Sequence, residues 1–491
     1  MQTSERRVHT ILVSVALLLC LLRFASLRAD FPNHSPWMLD QAKFTDEGWW
    51  SSGAVRHFLI GHWDVEGDYN PAVVVPAWPV LMTVVFHFTG VSVVAARAVS
   101  VAFSLGTVGL VYLLVRRYGG PGGETAAALA ALLLAASPFA FAFSRLVTLD
   151  TVAAFEFCLL LWVAGCADQR RIWPFITLGL LIPVMVLTKT TAAALLPAVI
   201  WLLWTATGKR RFLNAILVVG ALAGAGMGAY LFLVLRSRYA ADYYYFFDIN
   251  ALAEVEWRRT ASFLLQLLHH GLWIDRLLYP AGLAVLVLSL VWLRQLWRNP
   301  LFVASWLAFA GQAAYILRRQ DDFAPRYFLA MLAPLILVLV LALQELRNRN
   351  RAVASLLAAT LAAALVLDMA QVVVFVRHRQ YQFYEAAESI RAIVDADRKA
   401  HRLLLGASGD QLSLMMGVGS INDGYSSEDL DKKAASYRPG WYVGWNDLDQ
   451  DILGDLSAYR LDKIATFRVF DNDQRNLLTL YRMVVVKETP R

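Results

Sequence analysis

Apolar runs of transmembrane length recur along most of this sequence and constrain its fold more than any other feature. They lie between residues 10 and 376, and each approaches the roughly 20 residues that cross a bilayer core as a helix. Hydrophobic residues make up 58% of the chain and charged residues only 17%, whereas soluble domains carry about 25% charged residues. The sequence therefore predicts a mainly α, polytopic membrane protein.

Short basic clusters between the apolar runs predict how the chain is threaded through the membrane. The clusters are Arg6–Arg7, Arg116–Arg117, Arg170–Arg171, Lys209–Arg211, Arg294 with Arg298, and Arg347–Arg351. Because Lys and Arg accumulate in cytoplasmic loops, we expect these clusters and the N-terminus inside, with an even number of crossings between neighbouring clusters. The net charge of +7 lies largely in these clusters, so we predict no nucleic-acid partner.

About eleven spans satisfy this alternation. They are residues 10–27, 93–115, 124–143, 150–167, 172–188, 190–206, 212–235, 276–293, 301–317, 326–345 and 352–375. The apolar segment 71–89 is left over, and it contains Pro71, Pro76 and Pro79. Since proline breaks helices, we predict that this segment lies in the interface as a juxtamembrane helix or re-entrant segment; an ordinary kinked span is the alternative.

Two domains follow from this threading. Residues 1–376 form the transmembrane domain, in which residues 28–92 are the first outer loop, and residues 377–491 form a small extracytoplasmic α/β domain. In the second domain the pattern predicts a helix at Tyr381–Lys399 and strands at Arg402–Ala407, Trp441–Gly444, Ala465–Phe470 and Leu478–Val486. Its carboxylates are scattered, so we expect them to be solvated and assign them no chemistry.

Acidic residues on the outer face are the candidate catalytic groups. Asp46 and Glu47 lie in the first outer loop beside Trp49, and Asp150 opens an apolar run. A positioned carboxylate can take the proton of an acceptor hydroxyl during glycosyl transfer. The alternatives are a merely solvated acidic loop and, for Asp150, a helix cap. The alternation of spans places Asp46 and Asp150 on the same face.

Basic residues on the outer face depart from the positive-inside pattern and call for an anionic partner. Lys189, Arg318–Arg319 and Arg326 lie there, at the depth of a lipid phosphate that Arg and Lys could bind. Alternatively, Arg318–Arg319 could snorkel and pair with Asp321–Asp322. Lys189 and Arg326 have no acidic neighbour in sequence, so they are the stronger candidates.

Metal-ligating residues show no regular spacing. His57, His62 and His87 share the first outer region, but nothing in their spacing indicates a metal site. The sequence also contains no P-loop and no dinucleotide-binding motif. We therefore predict no metal site and no required cofactor, although a divalent metal is an alternative.

Several short pieces of residues 10–345 match a known pattern in order. They are Thr45-Asp46-Glu47-Gly48, Tyr69-Asn70-Pro71, Pro76–Leu81, Gly90–Arg97, Ser144–Asp150, Leu187–Pro197 and Arg326–Pro334. In these pieces the chain resembles the membrane glycosyltransferases of the GT-C fold, in particular the group of protein O-mannosyltransferases and bacterial aminoarabinose transferases. The resemblance implies a GT-C fold with interfacial juxtamembrane helices.

The resemblance also implies roles for the charged residues. Asp46 matches the catalytic base, Glu47 lies beside it and shapes the substrate site, and Asp150 matches a second outer acidic residue. Lys189 and Arg326 lie where the family binds the phosphate of its lipid carrier.

Further contacts are expected around this site. Arg319 is a third candidate for the carrier phosphate, and four side chains are candidate sugar or acceptor contacts: Trp49, His57, Asn70 and Tyr327. Two features depart from the family. Asn70 stands where many relatives have a basic residue or His, and Gly48-Trp49-Trp50 replaces a more polar continuation.

Together these patterns predict a glycosyltransferase in a bacterial inner membrane. It would move a sugar from a polyprenyl-phosphate carrier to a hydroxyl of a protein, lipid or glycan acceptor on the extracytoplasmic face, by inverting displacement. The alternatives are a transporter or flippase of lipid-linked sugars and a non-catalytic protein of envelope assembly. Against transport, ionisable residues cluster at one face, although Glu156 and Asp368 lie inside the spans.

Overall fold

The computed structural model of the 491-residue chain is helical over most of its length and contains one small sheet near the C-terminus. It describes residues 3–32, 41–168, 171–249, 277–318, 324–406, 408–424, 427–446, 450–471 and 475–486, together with the single residues 256, 258, 261, 275 and 448.

Fourteen helices within these residues precede the C-terminal region. They are α1 (Thr3–Leu22), α2 (Asp46–Leu59), α3 (Ala77–Thr89), α4 (Val93–Tyr118), α5 (Gly123–Ala136), α6 (Pro138–Ser144), α7 (Leu149–Gly165), α8 (Trp173–Thr188), α9 (Leu196–Leu235), α10 (Ala240–Ile249), α11 (Leu278–Val291), α12 (Pro300–Leu317), α13 (Leu329–Arg349) and α14 (Arg351–Arg377). Each predicted span overlaps one of these helices.

The apolar helices confirm the predicted polytopic membrane fold. Among the described residues, five helical segments are each long and apolar enough to cross a membrane, and the pair α5–α6, bent by 61°, gives a sixth. Helices α8 and α11 are apolar but shorter. In lipid the backbone polar groups must be satisfied within each segment, and helices meet this requirement.

Helix α9 contains the predicted division between two spans. It has 40 residues and would be about 60 Å long as a straight helix, twice the roughly 30 Å of the hydrocarbon core. The backbone breaks at Gly208, where φ is 69° and ψ is 163°, next to the basic cluster at Lys209–Arg211. A positive φ of this kind is readily adopted by glycine.

The first outer loop is itself folded into helices. Helix α3 has 13 residues and measures about 20 Å, which is too short to cross the membrane and fits the predicted juxtamembrane segment. It packs on α2, where the indole N–H of Trp78 donates to the Ser51 hydroxyl at 3.1 Å. Asn70 caps the 3₁₀ turn Pro71–Val73 that precedes α3, accepting from the Ala72 N–H at 3.0 Å.

The C-terminal region is the predicted small α/β unit. Its helices are α15 (Gln382–Ala396), α16 (Gly409–Met416), α17 (Leu430–Tyr437) and α18 (Gln450–Asp455), and its strands are β1 (Leu403–Gly406), β2 (Gly419–Ile421), β3 (Trp441–Trp445), β4 (Tyr459–Arg468) and β5 (Leu477–Val485). The strand order is β2-β1-β3-β5-β4. Strands β2, β1 and β3 are parallel, and β5 and β4 add antiparallel. The sequence pattern missed β2, which is too short to show an alternation.

One hydrophobic core joins the first outer loop to the C-terminal region. Its buried side chains include Val55, Trp78, Phe86, Val147, Phe383, Leu412, Trp441 and Phe470. The predicted boundary near residue 377 therefore separates two stretches of sequence that share one packed core.

Asp30 attaches the end of the first membrane segment to α15. Its carboxylate accepts from the N–H groups of Phe383 at 2.8 Å and Tyr384 at 3.2 Å, and its own N–H donates to the Gln380 carbonyl at 2.8 Å. Because the first N–H groups of a helix have no partner within the helix, Asp30 caps α15 from a distant part of the chain.

Asp30 also makes stability depend on pH. Burial raises the pKa of Asp30 to about 7, against the opposing effect of its hydrogen bonds and of Arg97. A carboxyl whose pKa is higher in the folded protein stabilises the fold at acid pH, and this contribution is lost as the pH rises through the folded value. We predict that the wild-type melting temperature in detergent falls from about pH 5.5 to about pH 8.5 and that Asp30→Asn falls less. Equal pH dependence of the two proteins would contradict this prediction.

Candidate active site

Two carboxylates and two cations from four separate parts of the chain meet at the ends of helices. Asp46 is the first residue of α2, and Asp150 is the second residue of α7. Lys189 lies between α8 and the 3₁₀ segment Thr190–Leu195, and Arg326 lies in the 3₁₀ turn before α13. The structure thus brings together the four charged residues that the sequence marked as strongest.

The four side chains form a row of alternating charge. The Arg326 Nη2 lies 2.7 Å from Asp46 Oδ2, and its Nε lies 3.8 Å from Asp150 Oδ2. The Lys189 Nζ lies 2.7 Å from Asp150 Oδ1. The side chains of Asp46, Arg326 and Lys189 retain exposures of only 9%, 10% and 16%. The cluster is therefore nearly buried, and these three side chains keep a small exposed fraction.

Tyr327 supports both cations. Lys189 Nζ lies 4.9 Å and Arg326 Cζ 5.3 Å from the centre of its ring, at the distance of cation–π contacts. The Tyr327 backbone carbonyl accepts from Gln312 Nε2 at 3.0 Å. Burial lowers the pKa of Lys189, although Asp150 opposes this shift.

Glu47 is fully buried and has a different setting from Asp46. Its Oε1 accepts from Arg97 Nε at 2.8 Å and from the Val147 N–H at 3.0 Å. Its Oε2 accepts from Arg97 Nη2 at 2.6 Å and from Gln411 Nε2 at 2.9 Å. Four protein donors thus occupy the two oxygens of Glu47. This geometry fits a positioning role better than proton transfer.

Two of the predicted sugar or acceptor contacts, Trp49 and His57, lie at opposite ends of α2. Trp49 lies one turn after Asp46, and its ring centre is 5.9 Å from that of Phe246 in α10. His57 is exposed near the far end of α2 and packs on Trp63; eleven residues of helix, about 16 Å, separate it from Asp46. The expectation that His57 contacts substrate is therefore not supported.

The Asn70 side chain caps the turn before α3, so it has a structural role at this position. Arg319 and the acidic pair Asp321–Asp322 lie outside the described residues. Among the residues that are described, no three of His, Cys, Asp and Glu gather where they could hold a metal ion. That no cofactor is required stays a prediction.

A second buried charge network joins α2 to the C-terminal region. Arg56 Nη2 lies 2.7 Å from Asp68 Oδ2 and 3.2 Å from Asp410 Oδ1. Asn422 Nδ2 donates to Asp410 Oδ2 at 2.8 Å, and Lys433 pairs with Asp68. Burial raises the pKa of Asp410, although Arg56 opposes this shift. Burial alone would lower the pKa of Arg56, but the charges of Asp410 and Asp68 raise it.

This network corrects the expectation of solvation for one C-terminal carboxylate, Asp410, whereas Asp395, Asp429 and Asp471 are exposed as expected. Asp410 is only 4% exposed and is neutralised by a residue of the first outer loop. Sequence reasoning also assigned no role to Arg97 and Gln411. An arginine within an apolar run was a signal for Arg97, whereas no local pattern indicated Asp410 or Gln411.

Known proteins resemble this chain in sequence and in structure. A family model described as dolichyl-phosphate-mannose-protein mannosyltransferase matches residues 71–234. The structure resembles ArnT from Cupriavidus metallidurans bound to undecaprenyl phosphate, with a TM-score of 0.58, 15% identity and coverage of 98% of this chain and 99% of that one. The chain has the GT-C fold.

A second solved structure shares this fold. It is the archaeal oligosaccharyltransferase AglB from Archaeoglobus fulgidus in complex with an inhibitory peptide and a dolichol-phosphate. The TM-score is 0.53 at 12% identity, with coverage of 92% of this chain and 72% of that one. Comparison with curated protein sequences gives no match. The solved structures confirm the predicted GT-C fold.

The buried network predicts a large stability loss when one partner is removed. Asp410→Ala leaves Arg56 without one of its two carboxylates, and breaking a buried pair typically costs about 3 kcal/mol or more. We expect a clear fall in the melting temperature of the purified protein in detergent. The control is Asp429→Ala, which removes a surface ion pair with Lys432 and should change the melting temperature little. Equal small shifts in both variants would contradict the prediction.

Proposed function

We propose that the protein is a glycosyltransferase that moves a sugar from a polyprenyl-phosphate donor to an acceptor hydroxyl on the extracytoplasmic face of the membrane. The observation that carries this proposal is the row formed by Asp46, Arg326, Asp150 and Lys189. It combines a group that can accept a proton with groups that can bind a phosphate.

The position of the row suits a substrate held in the membrane. Asp150, Lys189 and Arg326 each lie where an apolar helix begins or ends. Such ends meet the headgroup region, where the phosphate of a lipid carrier lies, and buried cations there call for an anionic partner. A donor anchored in the bilayer by its polyprenyl chain would hold its phosphate at the level of Lys189 and Arg326.

The reaction we infer is a single displacement. The acceptor oxygen attacks the anomeric carbon of the sugar while Asp46 takes the hydroxyl proton. The bond between the anomeric carbon and the phosphate oxygen breaks, and its electron pair stays on the polyprenyl phosphate. Because attack and departure occur on opposite sides of one carbon, the configuration inverts.

Arg326 couples donor binding to the availability of the base. Asp46 Oδ2 lies 2.7 Å from Arg326 Nη2, so this ion pair holds one of the two oxygens that could take the acceptor proton. The row contains two acidic and two basic side chains, so an incoming phosphate adds a negative charge that competes for Arg326 and Lys189. A shift of Arg326 toward the phosphate would free Asp46 when the donor is in place, and would stabilise the leaving group.

The comparisons support a lipid-phosphate donor. The two similar structures contain undecaprenyl phosphate and a dolichol-phosphate respectively, and the matching family model is described by a dolichyl-phosphate-mannose activity. They support the class of donor without fixing the sugar or the acceptor, so the assays use panels of both.

The central prediction concerns Asp46. Asp46→Asn keeps the size of the side chain but removes the proton acceptor, so we expect transfer to fall at least about 100-fold. The measurement is release of labelled sugar from polyprenyl-phosphate hexoses and pentoses by purified protein with lipid, glycan or peptide acceptors. The matched control is Asp64→Asn, which alters a surface pair of the same outer region with Arg238 and should retain activity.

The outcomes separate the competing functions. Full turnover by Asp46→Asn would remove Asp46 as the base. No turnover by wild-type protein with any donor, together with movement of a donor across vesicle membranes, would overturn the transferase in favour of a flippase.

A second prediction concerns the phosphate site. Lys189→Met removes one charge-assisted contact to the donor phosphate, so we expect binding of undecaprenyl phosphate in detergent to weaken about tenfold. Binding is measured by native mass spectrometry. The control is Lys432→Met, which alters an exposed lysine of the C-terminal region. Unchanged affinity of Lys189→Met would exclude Lys189 from the phosphate site.

A further inference from the structure

We infer that Gln411, in the C-terminal region, is a positioning residue that holds the N-terminus of the helix carrying Asp46. This inference rests on the proposed function, because it assigns Gln411 an effect on the reaction at Asp46. It also makes the C-terminal region a working part of the active site.

The start of α2 lacks a cap from its own sequence. Thr45 occupies the N-cap position, but its side chain makes no capping hydrogen bond and its hydroxyl instead donates to Asp46 Oδ1 at 3.2 Å. The first N–H groups of a helix need partners from elsewhere. The N–H of Gly48 finds one in Gln411 Oε1, at 2.7 Å and 363 residues away in sequence. Gln411 thus acts as the cap that Thr45 does not provide.

Gly48 permits this contact because it has no side chain. A Cβ at Gly48 would lie 2.1 Å from the Gln411 backbone nitrogen and 2.2 Å from the Asp410 carbonyl carbon. Real Cβ atoms do not approach backbone atoms this closely, so a larger residue would push α16 away from α2. Gly48 therefore marks the point where the two backbones touch.

The Gln411 amide is used at both of its ends. While its oxygen accepts from Gly48, its nitrogen donates to Glu47 Oε2 at 2.9 Å, and Arg97 holds the same carboxylate from the opposite side. An amide suits this place because it offers one acceptor and one donor. A carboxylate at position 411 would face Glu47 with a like charge in a buried setting.

A second anchor fixes the other end of α2. Arg56 pairs with Asp410, the neighbour of Gln411, at 3.2 Å. Positions 48 and 56 are about 12 Å apart along the helix, so contacts at both resist tilting and sliding of α2 against α16. Asp46, as the first residue of α2, moves with the helix. A displacement of about 1 Å at a catalytic group can lower turnover about 100-fold.

The test compares two variants of the full-length protein with wild type. Gln411→Ala removes both hydrogen bonds of the amide, whereas Gln411→Glu keeps an acceptor for the Gly48 N–H but sets a second carboxylate against Glu47. The control is Gln382→Ala, at an exposed position of α15.

Two readouts are needed. The first is the kinetics of sugar transfer with a donor that wild type uses, and the second is amide hydrogen exchange of peptides covering residues 46–59. We expect kcat to fall at least about tenfold in Gln411→Ala and further in Gln411→Glu, with the KM for the donor little changed. Exchange at the start of α2 should quicken in both variants. Gln382→Ala should match wild type.

The outcomes are decisive in both directions. Wild-type kcat and wild-type exchange in Gln411→Ala would overturn the inference. A loss of activity in Gln411→Ala that only parallels a loss of folded protein, followed by the melting temperature, would reduce Gln411 to a purely structural contact and also overturn it. If wild type itself transfers no sugar, the proposed function fails, and the exchange data alone then decide whether Gln411 caps α2.

Discussion

The ion pair between Glu47 and Arg97 is the contact on which the arrangement of the outer face depends. Arg97 binds both oxygens of Glu47 and also donates to the carbonyls of Leu27 and Ala29, at 2.7 Å and 2.9 Å, where the first membrane segment ends. Glu47 accepts in turn from the Val147 N–H just before α7. One buried pair thus joins α2 and α4 to the segment that follows α1 and to the segment that precedes α7. Removing either partner would leave a buried charge, which is far more costly than losing a surface pair.

The same physical rule explains why the active-site charges occur as a balanced set. Burying an isolated charge costs several kcal/mol, and the row from Asp46 to Lys189 avoids this by alternating sign. Arg326 is central because its planar guanidinium reaches both carboxylates at once. A balanced set of this kind is stable on its own. In the proposed function, each of its ion pairs would be exchanged for a contact with the donor phosphate.

The fold could be predicted from the sequence in the membrane segments, because the bilayer restricts which backbone structures can cross it. Spans follow from apolar runs, and alternation of basic loops placed Asp46, Asp150, Lys189 and Arg326 on one face before any contact was known. Contacts across the chain could not be read in this way. Gln411 is a polar residue in a polar stretch, and its burial arises only when α16 docks on α2. The same docking turns Asp410 from an apparently solvated acid into a buried partner of Arg56.

The position of α2 explains why a membrane enzyme of this architecture would need its C-terminal region. A helix outside the membrane bundle is not surrounded by lipid or by neighbouring spans that would hold it in place. Helix α2 has 14 residues, about the length at which isolated helices are only marginally stable in water. Its order must come from tertiary contacts. The bundle supplies Arg97 on one side, and the C-terminal region supplies Gln411 and Asp410 on the other. Asp46 is fixed relative to Arg326 because both sides hold the same helix.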